Sequence, residues 1–249
     1  MKTLVKSIII NISKKVTIVF CILTLFYSCK DSTPKCETTN MKIKDIDNNV
    51  YDVIKIGNQY WMQQNLRCIH YNDSKAILPI VAENECCTLN KKGFYADFPV
   101  KGDTISGRFY NWHAVDTGKL APKGWHVATK SDWEELQKFI GPTETGNKLR
   151  ATNGWNDTNT LAGRGTDAYC FSALATGYIN WGNTYWSASQ PEPQNNVTVF
   201  WTSTRDDSAC VRDAQNYPYS IILGLAYKEL IIENCNCHNF EYSVRCVKD

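Results

Sequence analysis

Val50-Tyr51-Asp52-Val53-Ile54-Lys55-Ile56-Gly57-Asn58-Gln59-Tyr60-Trp61-Met62 is the stretch on which the fold turns. β-Branched and aromatic residues flank Gly57-Asn58, a dipeptide suited to a two-residue turn. Val50 to Ile56 and Gln59 to Met62 therefore read as a hairpin of paired strands. Moving toward the C-terminus, Cys68 to Thr104 has no sustained period and holds Pro79, Gly93, Pro99 and Gly102, as a long loop-rich insertion would. One helix signal follows. Ser131 with Glu134 three residues on makes a capping box, and Trp133, Leu136 and Ile140 form a stripe at helical spacing before Gly141-Pro142. This predicts a helix from Ser131, as N-cap, to Ile140. Thr143 to Thr204 is rich in Gly, Asn, Thr and Trp and reads as long surface loops. Ser220 to Ala226, Leu230 to Ile232 and Glu241 to Val247 read as strands. The expectation is one α+β domain over residues 41–249, with a small twisted antiparallel sheet, one main helix and long loops.

Moving toward the N-terminus, residues 29–40 are polar and aperiodic, as expected of a tether. Before them, Lys2, Lys6, Lys14 and Lys15 precede an uncharged apolar run from Val16 to Phe26. Eleven residues are too few to span a bilayer and suit the core of a signal peptide over residues 1–28. Leu25-Phe26-Tyr27-Ser28-Cys29 resembles a bacterial lipobox, in which Cys29 is lipidated and becomes the first residue of the mature chain. The expected location is the cell envelope, lipid-anchored to the outer membrane and facing either the surface or the periplasm, with the membrane as a partner through that anchor.

Those four lysines are balanced by no acid, so the rest of the chain carries 23 basic against 25 acidic side chains. A body this near neutrality has no basic excess to neutralise a phosphate backbone, which argues against nucleic acid as a partner. Eleven cysteines suit an oxidising compartment. Cys21 lies in the signal and Cys29 would carry lipid. Nine others remain: Cys36 and the disulfide candidates Cys68, Cys86, Cys87, Cys170, Cys210, Cys235, Cys237 and Cys246. An odd number leaves at least one thiol over. Cys246 is expected to be paired, and at least one of the adjacent Cys86 and Cys87 to bond elsewhere in the insertion, because a ring between neighbours is strained.

Several blocks together resemble the Fibrobacter succinogenes major paralogous domain, a family of exported proteins. They include Asp47-Asn48-Asn49-Val50-Tyr51, Ile56-Gly57-Asn58-Gln59-Tyr60-Trp61-Met62, Gly107-Arg108-Phe109-Tyr110-Asn111-Trp112, Ala121-Pro122-Lys123-Gly124-Trp125-His126-Val127, Trp201-Thr202-Ser203-Thr204 and Tyr242-Ser243-Val244-Arg245-Cys246-Val247. The resemblance implies a C-type lectin-like fold, with Trp125 and Trp133 buried. Many members carry cysteine where Ala121 stands, so the partner of Cys246 is open.

A calcium loop of the sugar-binding lectins would place a Glu-Pro-Asn type segment before Trp-Asn-Asp. Here Trp155-Asn156-Asp157 precedes Glu192-Pro193-Gln194, so no metal or cofactor is expected. Cys235-Asn236-Cys237-His238 could hold copper or zinc, but in an exported chain it reads first as a disulfide segment. His113 and His126 have no nucleophile tied to them and read as packing groups. Arg108 and Arg245 read as ties to carboxylates. The expectation is a non-catalytic ligand-binding or adhesion module for a glycan or protein. The alternatives are a structural component of the envelope and, further off, a copper-dependent oxidase of the formylglycine-generating type. The binding surface is placed on Trp181 to Asn196, where Trp181, Tyr185 and Trp186 alternate with Asn183, Asn195 and small residues.

Overall fold

Gly57 turns the chain at a φ of 61°, a left-handed conformation that favours glycine, and the flanking strands pair with Ile54 opposite Trp61 and Lys55 opposite Tyr60. The hairpin belongs to a computed structural model that describes residues 36–80, 92–97, 106–155, 165–180, 196–206, 217–224, 227–234 and 240–249. Its first elements are β1 (Glu37–Lys44), β2 (Val50–Ile56), β3 (Gln59–Met62), β4 (Leu78–Pro79), β5 (Phe94–Asp97) and β6 (Arg108–Asn111). Next come α1 (Trp112–Asp116), β7 (Trp125–Val127), α2 (Lys130–Ile140) and α3 (Thr145–Leu149). The chain continues with β8 (Ile179–Asn180), β9 (Val197–Asp206), β10 (Tyr217–Gly224), β11 (Ile231–Asn234), β12 (Phe240–Tyr242) and β13 (Cys246–Lys248).

The expected α+β fold, C-type lectin-like with one small sheet and one main helix, is corrected by this architecture. Strand accounts for 44% of the described residues and helix for 14%, in three sheets and three short helices. The sheets run β1-β2-β3-β13-β7, β11-β10-β9 and β4-β5-β6-β12-β8. The extra β content comes from segments read as loops. Val197 to Asp206 is a ten-residue strand whose Phe200 and Trp201 are fully buried, and the insertion supplies β4 and β5. Packing against distant strands, not local alternation, selects these segments.

Side chains alternate across the first sheet. Tyr51, Val53, Met62, Val127 and Cys246 enter one apolar cluster, and Ile54, Ile56, Trp61 and Val247 enter another. Strand β9 joins both, with Val199 and Trp201 on the first side and Phe200 on the second. The second cluster is covered by α2, whose Trp133 lies 4.9 Å from Trp61 and 5.5 Å from both Phe171 and Phe200 between ring centroids. Trp133 is fully buried and Trp125 is 8% exposed, as expected of both.

Several boundaries move; the strands expected at Ser220 to Ala226 and Leu230 to Ile232 are β10 and β11, shifted to start at Tyr217 and Ile231. The helix starts at Lys130, because Thr129 rather than Ser131 is its N-cap, with Asp132 closing the capping box. Glu241 to Val247 is two strands. Tyr242 pairs with Tyr110 in the third sheet and Cys246 with Val127 in the first, so the chain crosses between sheets at Ser243-Val244-Arg245. The ordered fold begins before residue 41: β1 opens at Glu37, and Cys36 is disulfide-bonded to Cys170.

Candidate functional site

The amphipathic helix α2 spends Trp133, Leu136 and Ile140 on the core, which turns Glu134, Glu135, Lys138 and Phe139 outward. Its outer side faces the β2–β3 turn across a groove of about 690 Å³, with Gly57 and Asn58 on the far wall. Phe139 is 57% exposed, the most of any large hydrophobic side chain among the described residues. Its ring lies on Gly57, where a Cβ would come within 3.0 Å of two ring carbons. Tyr169 meets the ring in a T-shaped contact at 6.1 Å between centroids. Glycine thus serves both the turn and the close approach of the ring.

Polar groups rim this aromatic surface. Gln59 is already committed, donating to the Asp132 carbonyl at 3.1 Å and accepting from Trp61 Nε1 at 3.1 Å, so it fixes the turn to the helix. Glu134 lies 3.4 Å from Lys130 one helical turn earlier. Ser131, Glu135, Lys138 and Asn58 complete the rim. An exposed ring edged by hydroxyl, amide, carboxylate and ammonium groups can stack on the C–H face of a sugar ring and hydrogen-bond its hydroxyls.

Beside the groove, His126 closes the start of α2. Its Nε2 is 3.0 Å from Asp132 Oδ2 and its Nδ1 is 2.8 Å from Asp249 Oδ1. The hydrogen bond to Asp132 raises the histidine pKa; burial works against this and Asp249 adds to it. Burial would raise the Asp132 pKa, but hydrogen bonds from His126 and Thr129 outweigh it and hold the carboxyl below its ordinary value. Both ring nitrogens are engaged in tying β7, α2 and the chain end together, in keeping with a packing role.

The arginines divide. Arg108 pairs with Asp97 at 2.7 Å, as expected of a carboxylate tie. Arg245 does not; fully buried, it donates to the carbonyls of Met62 at 3.0 Å and Phe171 at 2.9 Å and to Asn65 Oδ1 at 2.6 Å.

Among the disulfide candidates, Cys170 is bonded to Cys36. Cys68 and Cys246 are corrected to free thiols, each buried in the first apolar cluster. Burial pushes the Cys68 thiol up to about 12 and Cys246 well above its ordinary value. Cys29, Cys86, Cys87, Cys210, Cys235 and Cys237 lie outside the described residues, as do Trp181, Asn183, Tyr185, Trp186 and Asn195. Among the described residues, no three His, Cys, Asp or Glu side chains are grouped to hold a metal ion.

The groove was not anticipated from sequence. Its one signal is that Phe139 falls beside, not on, the Trp133–Leu136–Ile140 stripe. The opposite wall comes from a turn about 80 residues earlier, a juxtaposition that periodicity does not reveal. The model of the Fibrobacter succinogenes major domain matches residues 54–248 of the chain. No curated protein and no solved structure matches it.

Proposed function

This chain belongs to the Fibrobacter succinogenes major domain family, and from that premise we propose that it is an exported, lipid-anchored, non-catalytic module of the cell envelope that holds a glycan. The observation that carries the binding reading is the exposed ring of Phe139, seated on Gly57 in a groove with a polar rim. Export and anchoring are supported by the basic start, the short apolar run and Ser28-Cys29. A binding role is favoured over catalysis because the histidine and the two thiols nearest the core serve packing. His126 is held between two carboxylates, and Cys68 and Cys246 are buried. The surface expected on Trp181, Asn183, Tyr185, Trp186 and Asn195 is proposed as a further ligand contact.

The test is a glycan array probed with the full chain, followed by Phe139→Ala and by Trp181→Ala with Trp186→Ala. Phe139 is more than half exposed, so its truncation should abolish retention while changing stability by less than about 1 kcal/mol. If no glycan is retained, or if both variants bind as wild type does, the glycan-binding reading fails and the structural-component reading replaces it.

A further inference from the structure

One rung of side chains crosses the whole first sheet. Glu37 on β1 pairs with Lys55 on β2, Lys55 with Tyr60 on β3, and Lys248 on β13 with Trp125 on β7. The Val247–Trp61 pairing sets Lys248 beside Tyr60 and completes the row. The two ammonium groups approach the Tyr60 ring from its neighbouring strands, 6.0 Å away for Lys55 and 5.5 Å for Lys248, measured to the centroid. Among the described residues neither lysine has a carboxylate within ion-pair distance, and the Tyr60 hydroxyl has no hydrogen-bond partner. Other lysines do pair, as Lys42 does with Asp52 and Lys119 with Asp73. Glu37 lies across from Lys55 in the strand register, and Asp249, next to Lys248 in the chain, has its carboxylate engaged by His126. The rung thus sets two ammonium groups and a hydroxyl side by side, with Glu37 as its one carboxylate.

Its position says what covers it. Cys36, the residue before Glu37, is fixed to Cys170, so the chain enters the fold at the end of this rung. The expected lipid attachment at Cys29 is seven residues earlier, a reach of at most about 25 Å. We infer that the Lys55–Tyr60–Lys248 rung docks on the anionic phosphate headgroups of the membrane that holds the anchor, and so fixes which way the domain faces. Lysine stems extend to carry their ammonium groups to phosphate, and an amphipathic tyrosine between them suits the headgroup layer. Tyr60 packs on the side of Met62, whereas Gln59 reaches α2 on the other side. The groove therefore opens on the opposite face of the sheet from the lipid.

This inference rests on the proposed lipid anchor, and its test reads the two separately. The full lipidated chain is reconstituted in phosphatidylcholine vesicles with and without phosphatidylglycerol. Amine-reactive labelling of each lysine is followed by mass spectrometry, and acylation of the Cys29 peptide is read on the same sample. Lys55 and Lys248 should label about fivefold more slowly with phosphatidylglycerol present, Lys119 should not change, and high salt should remove the difference. An unacylated Cys29 defeats the anchor and the docking with it. Acylated protein whose Lys55 and Lys248 label equally in both vesicles defeats the docking alone. Equal protection by inorganic phosphate in phosphatidylcholine vesicles assigns the rung to a free anion and overturns the membrane as its occupant.

Discussion

The guanidinium of Arg245 lies over the ring of Phe171, 4.5 Å from its centroid, and donates through Nη1 to the carbonyl of the same residue at 2.9 Å. Burial pulls the guanidinium pKa down, against the smaller upward pull of Asp167. The charge is retained because its donors meet the carbonyls of Met62 and Phe171 and the amide oxygen of Asn65. These contacts join the hairpin, the Phe171 segment and the crossing between two sheets.

Replacing this side chain should therefore be costly. Arg245→Met would leave several buried acceptors without donors, at about 1 to 3 kcal/mol each. The expected loss in urea denaturation is on the order of 3 kcal/mol or more. A midpoint equal to wild type would contradict this account.

Trp133→Ala removes the ring that meets Trp61, Phe171 and Phe200 in the second cluster. The expected destabilisation is about 3 to 5 kcal/mol, read as a fall in melting temperature. Phe139→Ala, six residues along the same helix, should barely move it, so the pair separates core packing from ligand contact.

The His126 clamp gives the fold a stability optimum in pH. His126 has a folded pKa above its ordinary 6.5, so its contribution is complete below that value and is lost as pH rises through the raised one. Asp132 has a folded pKa below 3.8, so its contribution is present above that value and is lost as pH falls through the lowered one. The stability difference between wild type and His126→Gln should be largest between 3.8 and 6.5 and should shrink on either side. Denaturation midpoints measured across pH test this; a difference that does not vary with pH would show that the ring acts by shape alone.

Reducing the Cys36–Cys170 bond, which joins residues 134 apart, should cost about 2 to 5 kcal/mol. Cys36→Ser should reproduce the loss. Cys68 and Cys246 should resist thiol reagents in the native protein and react once it is unfolded, because both are buried with raised pKa values. Rapid native labelling of either would place it outside the core.

The sequence by itself determined what depends on neighbours along the chain. Gly57 made the hairpin turn legible, Trp133, Leu136 and Ile140 identified the inner face of α2, and the ordered blocks identified the family, which spans residues 54–248. Tertiary structure decided what depends on partners far apart in sequence. Ser131 looked like the cap, yet Thr129 serves, since both offer a hydroxyl and only the path of the chain from β7 selects one. Val197 to Asp206 became a strand because β10 pairs with it and both apolar clusters take its side chains. Glu241 to Val247 has one unbroken alternation but serves two sheets, a division imposed where Arg245 is drawn into the core. The groove and the Lys55–Tyr60–Lys248 rung arise the same way, because each gathers residues that the sequence separates and only strand register and helix packing bring together.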